Sequence, residues 1–224
     1  MMTNLINYIT NELGYKVLRI SYFGSHQFNL NNEDSDIDLM CIVTRDKDYY
    51  TQLFEPDLSI SSKVIDGMDV QFLDIKRYLQ LLSKSNFNAV SVIYNSIFTR
   101  PGYEHFFSKA FIPYTNVNKV AHHALGLINN RTSGEQKLHM KAYFTLLLDF
   151  LLEYKHMPES LRYDYLLSIS YSPIAESILT SKKNNTVFIY SDIWCNITHD
   201  KINEELLNNN NLVSICSEKW NKLV

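Results

Sequence analysis

The stretch "GSHQFNLNNEDSDIDLM", residues 24–40, decides the fold of this chain because it joins two apolar strand patterns through a polar loop. The first pattern, "KVLRISYF" (16–23), ends directly before that stretch. The second pattern, "DIDLMCIV" (36–43), begins with Asp36 and Asp38, one residue apart. A half-buried strand gains stability from apolar contacts, so two aspartates at its start need a separate explanation.

The spacing of the two aspartates predicts a cation site. Side chains alternate between the faces of a strand, so Asp36 and Asp38 share one face while Ile37 and Leu39 fill a core on the other. Two carboxylates on one face repel each other unless positive charge lies between them. Oxygen ligands of this kind suit Mg²⁺ or Mn²⁺. For the pair taken alone, two surface aspartates at a solvated strand end are the alternative.

Residues on either side of the pair favour phosphate chemistry. Gly24 permits close approach of the backbone to a ligand, and Ser25 offers a hydroxyl and an amide to a phosphate. His26 follows directly and could reach a phosphate or a base. A third carboxylate, Asp69, opens the strand pattern "MDVQFLD" (68–74). Three carboxylates and a Gly-Ser loop are the constellation expected of two-metal phosphoryl transfer.

The pattern along the chain predicts an α+β fold. Helix and strand signals alternate before residue 100, and mostly helical signals follow it. We therefore expect a mixed β-sheet with helices in a catalytic domain over residues 1–100, and an α-helical domain over residues 101–224. The predicted helices are 3–13, 75–84 with Asp74 as N-cap, 116–129 and 135–155.

The composition is that of an ordinary globular protein, with 46% hydrophobic and 20% charged residues among 224. A net charge of −3 gives no global basic field that would draw the chain onto nucleic acid. The three cysteines, Cys41, Cys195 and Cys216, are far apart and are predicted to be reduced thiols in a cytoplasmic protein. No window holds 18 apolar residues, so we expect no membrane span. The oligomeric state stays open.

These motifs resemble a known superfamily. "GS" followed by "DSDIDL" resembles the nucleotidyltransferase superfamily that includes DNA polymerase β. More narrowly, residues 24–39 are similar to predicted bacterial and phage nucleotidyltransferases. The segments "DVQFLDIKRYLQLLSKSNFNAVSVIY" (69–94) and "KAYFTLLLDFLLEYKHMPESLRYDYLL" (141–167) resemble further parts of that group.

The resemblance implies a role for each site residue. Gly24 and Ser25 would hold the β- and γ-phosphates of a nucleoside triphosphate such as ATP. Asp36, Asp38 and Asp69 would bind two Mg²⁺ or Mn²⁺ ions, with Asp69 also orienting the acceptor hydroxyl. The product would be a nucleoside monophosphate joined to an unknown hydroxyl, on an RNA or tRNA end, a protein or a small molecule.

Basic side chains on the strongest predicted helix could assist the triphosphate. Lys137 and Lys141 lie one turn apart, on the same stripe as Phe144 and Leu148. A stripe that turns from basic to apolar could face the cleft at its start and the core further along. A solvated helix end is the alternative for the two lysines.

Departures from the group's pattern support a second interpretation. Asn29 replaces a usual glycine, Phe87 a usual proline, Ser91 a common glutamate and Leu148 a common arginine. The alternative function is therefore a weak or inactive nucleotidyltransferase-fold module that binds nucleotide or RNA, such as an antitoxin or regulatory partner. A metal-dependent nuclease is a third interpretation, which the Gly-Ser loop disfavours because a nuclease needs no triphosphate cradle.

Overall fold

Five strands form one mixed sheet in the first hundred residues, and helices make up most of the remaining described chain. The computed structural model describes residues 2–51, 61–129, 138–170, 172–184, 199–206 and 212–221. The strands are β1 (Lys16–Phe23), β2 (Asp38–Thr44), β3 (Ser61–Ile65), β4 (Met68–Asp74) and β5 (Phe98–Thr99). The α-helices are α1 (Met2–Asn11), α2 (Gly24–Gln27), α3 (Lys47–Tyr50), α4 (Ile75–Ser83), α5 (Phe87–Ser91), α6 (Val117–Asn129), α7 (Leu138–Tyr154), α8 (Tyr163–Ile169), α9 (Pro173–Lys183), α10 (His199–Glu205) and α11 (Leu212–Asn221). Two 3₁₀ turns, Glu104–Phe106 and Lys109–Tyr114, connect β5 to α6.

The sheet has the strand order β3-β4-β2-β1-β5, with β2 at its centre between β4 and β1. Strands β2 and β4 run parallel, whereas every other pairing is antiparallel. Parallel neighbours begin at the same edge of a sheet, so the first residues of β2 and β4 lie side by side. This topology brings the two halves of the predicted carboxylate site together.

Each face of the sheet is covered by its own core. Leu39, Cys41 and Val43 of β2 pack with Leu5 and Ile9 of α1 in the smaller core. The alternate β2 residues contribute to a larger core that also holds buried side chains of α4, α6 and α7. Both faces of β2 are therefore apolar, as expected for a strand covered on two sides.

The larger core crosses the predicted domain boundary. Met40 and Ile42 from the sheet belong to the same buried cluster as Tyr143 and Leu147 from α7. The helical region thus shares one buried core with the sheet face that carries Asp38. The predicted division at residue 100 itself stays a prediction.

The α+β fold class is confirmed, and most predicted elements occur within two residues of their expected bounds. Strands β1 and β4 have the expected bounds, and Asp74 caps α4 by accepting a hydrogen bond from the Lys76 amide at 2.8 Å. The predicted strand 36–43 is wrong at its start, because β2 begins at Asp38 and Asp36 lies in the preceding loop. Of the predicted helix 135–155, residues 135–137 lie outside the described residues. No helix in the described ranges has the length and apolar character that a membrane crossing requires.

Candidate active site

A row of paired residues across the sheet builds the site. Asp38 is the Cα partner of Phe23 on one side and of Asp69 on the other, and Asp69 is in turn the partner of Val64. The Asp69 amide donates to the Ile37 carbonyl at 3.0 Å, which fixes the register directly before β2 begins. Directly paired residues point to the same face, so Asp38 and Asp69 are neighbours on the face that packs against the helices. Sequence reasoning predicted this convergence.

Gly24 is required where it stands because its backbone lies against the Asp38 carboxylate. Its φ is +61°, a conformation that glycine adopts without steric cost. A Cβ atom at this position would lie only 2.6 Å from Asp38 Oδ2. Gly24 and Asp38, the first residue of β2, are therefore in van der Waals contact, and the predicted phosphate-binding role of the Gly24–Ser25 loop stays a prediction.

The turn after Gly24 is held by its own backbone. The Ser25 carbonyl accepts hydrogen bonds from the Phe28 amide at 3.3 Å and the Leu30 amide at 2.9 Å. Asn29 has a φ of +59°, so the asparagine takes the left-handed conformation for which glycine is the usual choice. The replacement of the group's usual glycine by Asn29 therefore leaves the turn intact.

The electrostatics of Asp38 differ from those of an ordinary surface carboxylate. Burial raises its pKa, and the nearby carboxylates of Asp69 and Asp36 raise it further, while His26 acts in the opposite direction. The structure thus places three negative groups where they interact, with no hydrogen bond to the Asp38 carboxylate among the described residues. Such an arrangement is stabilised by positive charge from a ligand.

The donor chemistry of this site fits a hard divalent cation. Asp36 and Asp69 are exposed and Asp38 is half-buried, so all three offer carboxylate oxygens at the solvent edge of the sheet. In the part of the chain that the structure describes, no three His, Cys, Asp or Glu side chains are already arranged around a common metal position. Asp36, Asp38 and Asp69 are the residues that would hold Mg²⁺ or Mn²⁺.

His26 and Tyr22 form an aromatic pair beside the loop. Their ring centroids lie 5.4 Å apart with the rings nearly parallel, and Tyr22 is 38% exposed. The Nε2 atom of His26 is buried and has no hydrogen-bond partner among the described residues. Sequence reasoning singled out His26 and missed Tyr22, whose only signal was an aromatic residue at an outward position of a strand.

The predicted basic residues are only partly described. Lys137 lies outside the described residues. Lys141 is half-buried on α7, one turn before Phe144, whose ring packs edge-on against Phe28 at 6.1 Å. Leu148, one turn further, is fully buried. The expected change from a basic to an apolar stripe therefore holds for the described part of the helix, and a phosphate-binding role for Lys141 stays a prediction.

Two other departures from the group's pattern serve packing. Phe87 is 1% exposed and stacks near Phe28, with ring centroids 6.0 Å apart. Ser91 is buried, and its hydroxyl donates to the Asn88 carbonyl at 2.9 Å within α5. Neither residue lies in the row of carboxylates.

The parallel carboxylate pair, the glycine packed against it and the mixed sheet define a nucleotidyltransferase-like protein of the DNA polymerase β superfamily. A family model extends this assignment beyond the sheet. Over residues 2–160 the chain matches the RNA repair pathway DNA polymerase beta family, called RlaP, and it belongs to that family. No curated protein matches the chain.

Proposed function

We propose that the protein is a metal-dependent nucleotidyltransferase that moves a nucleoside monophosphate from a nucleoside triphosphate to a hydroxyl acceptor. The observation that carries this proposal is the pairing of Asp38 with Asp69 in parallel register, with the Gly24 backbone packed against Asp38. A triphosphate held at Gly24 and Ser25 lies next to both carboxylates. The family description, which names an RNA repair pathway, makes the hydroxyl of an RNA end the acceptor to test first.

In this reaction each residue has a definite task. The amide and hydroxyl of Ser25 bind the β- and γ-phosphates. Asp36, Asp38 and Asp69 would hold the metal ions, with Asp36 and Asp38 on the ion that accompanies the triphosphate. Asp69 orients the acceptor hydroxyl and accepts its proton. The acceptor oxygen forms a bond to the α-phosphorus while the bond from that phosphorus to the bridging oxygen breaks, and pyrophosphate leaves. When bound, the metal ions would neutralise the charge that develops on the α-phosphate.

Binding measured with and without chelator tests the first step. Because three interacting carboxylates repel a triphosphate, calorimetry should detect ATP, GTP, CTP or UTP only when Mg²⁺ or Mn²⁺ is present. Equal affinity in EDTA would remove the metal from the proposal. Transfer is then followed with the four α-labelled triphosphates incubated with RNA, with protein and with small-molecule fractions of a cell lysate. Label on a single class identifies the acceptor.

The second candidate function is a nucleotide- or RNA-binding module without turnover. It is favoured by the burial of Leu148 in the apolar core at the position where the group often carries an arginine. Metal-dependent triphosphate binding without label on any acceptor fraction would select this alternative. Transfer of label from any triphosphate would exclude it.

A further inference from the structure

The sheet face that carries the carboxylates is buried further along the strands but open beside Asp69. On this face Met40 is 3% exposed and Leu73 is 2% exposed, because both belong to the larger core. Val64 of the edge strand β3 is the partner of Asp69 and therefore points to the same face, yet it is 71% exposed. An open part of the sheet thus begins directly next to the proposed third carboxylate.

Three uncharged side chains form this open part of the sheet. Ser62 and Gln71 are partners and lie two residues from Val64 and Asp69 in their strands, so alternation places them on the same face. Ser62 is exposed and Gln71 is half-buried. We call Ser62, Val64 and Gln71 the β3–β4 patch. It combines one aliphatic surface with a hydroxyl and an amide, which both donate and accept hydrogen bonds.

The charges around the β3–β4 patch are unsuitable for a phosphate. Lys63 is the only basic residue of β3 and β4, two strands that the structure describes in full. It lies on the opposite face, where its Nζ donates to the Tyr8 hydroxyl at 2.6 Å. The exposed carboxylates near the patch are Asp69 and Asp66, the latter in the turn after β3. A ligand on the patch is therefore favoured when it is uncharged at the point of contact.

The side from which the acceptor approaches follows from the proposed function, on which this inference rests. In phosphoryl transfer the attacking and leaving oxygens lie roughly in line across the phosphorus. Gly24, whose loop is proposed to hold the leaving pyrophosphate, follows β1 and lies against Asp38, and β1 flanks β2 on the side away from Asp69. The attacking hydroxyl must therefore come from the other direction, over Asp69 and β3.

We propose that the β3–β4 patch binds the terminal nucleoside of an RNA acceptor, with Val64 against the ribose that carries the reacting hydroxyl. Neighbouring strands lie about 5 Å apart, so a ribose whose hydroxyl reaches Asp69 extends over its partner Val64. Ser62 and Gln71, two residues along their strands, offer hydrogen bonds to the base. Val64 is therefore a specificity-determining residue for the acceptor and not for the triphosphate.

Acceptor kinetics on Val64→Lys test this contact. The probe is an RNA of about ten nucleotides with free hydroxyls at its 3′ end, and the label comes from a saturating α-labelled triphosphate with Mg²⁺. Lysine is common on exposed edge strands, so the fold should persist, which thermal melting checks. The larger side chain displaces the ribose and should raise the acceptor KM about tenfold, whereas the triphosphate KM should change less than about twofold.

Two further variants make the result specific to this position. The matched control is Val213→Lys, the same substitution at an exposed valine of α11, a helix that packs against α4. It should leave the KM values of acceptor and triphosphate unchanged. Val64→Thr keeps the branched shape of the side chain, so its acceptor KM should stay within about threefold of that of the unchanged chain.

The outcomes separate this inference from the proposed function. If the unchanged chain transfers label to no acceptor, both fail. If label reaches only proteins or small molecules, the transferase proposal stands and the nucleoside contact is overturned. An unchanged acceptor KM in Val64→Lys also overturns it. A lowered acceptor KM does so too, because the added cation would then be contacting a phosphate.

Discussion

The parallel strands β2 and β4 have an aspartate at the start of β2 and another at the end of β4, and the surroundings of these two carboxylates are opposite. At the start of β2, Asp38 is surrounded by the acidic groups of Asp36 and Asp69. At the end of β4, Asp74 is buried but accepts hydrogen bonds from the Tyr50 hydroxyl at 2.5 Å and the Lys76 amide at 2.8 Å. Burial is the largest cause that raises the pKa of both groups, yet neighbours add to the effect at Asp38 and oppose it at Asp74.

This difference separates the carboxylate that we propose as a metal ligand from one that belongs to the scaffold. Asp74 accepts hydrogen bonds from its own chain and so stabilises the fold. Asp38 has two like charges as neighbours, and a bound cation would offset their repulsion. Substitutions at the two ends should therefore affect different properties of the protein.

The largest expected effect is on transfer by Asp38→Asn. The change preserves shape but removes a metal ligand, so we expect transfer to fall by roughly a thousandfold or more, together with triphosphate binding. Asp69→Asn should stop transfer with much less effect on triphosphate binding, because Asp69 serves the acceptor side. Steady-state kinetics and calorimetry on Asp38→Asn and Asp69→Asn separate an effect on kcat from an effect on triphosphate binding. Near-normal turnover in Asp69→Asn would give the role of third carboxylate to Asp66, because Asp74 lies at the opposite end of β4 and caps α4.

The second largest effect on transfer is expected for Gly24→Ala, a change beside the Asp38 carboxylate. The new Cβ would lie 2.6 Å from Asp38 Oδ2 and displace the carboxylate, so transfer should fall by about tenfold or more. The positive φ adds a stability loss of about 1–2 kcal/mol. Gly14→Ala is the control, because Gly14 has a φ of +69° with no atom within 4 Å of the added Cβ. Equal losses of transfer in both variants would show that strain alone matters.

At the end of β4, Asp74→Ala should lower the stability of the fold. This change removes the cap of α4 and takes the Asp74 acceptor from the half-buried Tyr50 hydroxyl, which together cost about 1–2 kcal/mol in the free energy of unfolding. Asp38→Ala in metal-free buffer should cost less than about 0.5 kcal/mol or stabilise the protein. Urea denaturation measures both. Comparable losses of unfolding free energy in Asp74→Ala and Asp38→Ala would contradict the distinction between a scaffold carboxylate and a site carboxylate.

The smallest effect is the pH dependence of metal-free stability. The pKa of Asp38 is raised in the folded state, so the folded chain holds its proton more tightly than the unfolded chain does. Its contribution is complete below the model-compound value of 3.8 and is lost as pH rises through the folded pKa. Asp38→Asn should therefore gain a few tenths of a kcal/mol over the unchanged chain between acidic and neutral pH, a small gain because solvent screens the half-exposed group.

Thermal melting in EDTA at several pH values measures this difference. Added Mg²⁺ should reverse its sign, because the ion stabilises only the chain that binds it. A difference that is constant across pH would contradict the assigned repulsion.

Local patterns anticipated the parts of the fold that local chemistry specifies. Strands β1 and β4 follow continuous or alternating apolar residues, and the Asp74 cap follows from its position before a helical repeat. Strand β3 was missed because four of its five residues are exposed, which leaves no alternation to detect. Strand β5 has only two residues and exists through its antiparallel pairing with Arg19 and Ile20, about eighty residues earlier.

The sequence predicted that the carboxylates could come together, but it did not predict the contacts that surround them. Asp38 and Asp69 converge because β2 and β4 are parallel neighbours, whereas the sequence predicted only that carboxylates on these two strands could come together. The contact between Gly24 and Asp38, the Tyr22–His26 stack and the Tyr50–Asp74 bond depend on how separate segments meet in space. Such contacts have no local signal.

The backbone bond from the Asp69 amide to the Ile37 carbonyl has a consequence for how sequences of this type can diverge. The spacing of the two carboxylates is set by main-chain pairing rather than by the length of the connection between β2 and β4. Evolution can therefore lengthen or shorten the segment between Thr44 and Ser61 and leave the spacing unchanged. A single-residue deletion inside β4 would instead turn every later side chain of the strand to the opposite face.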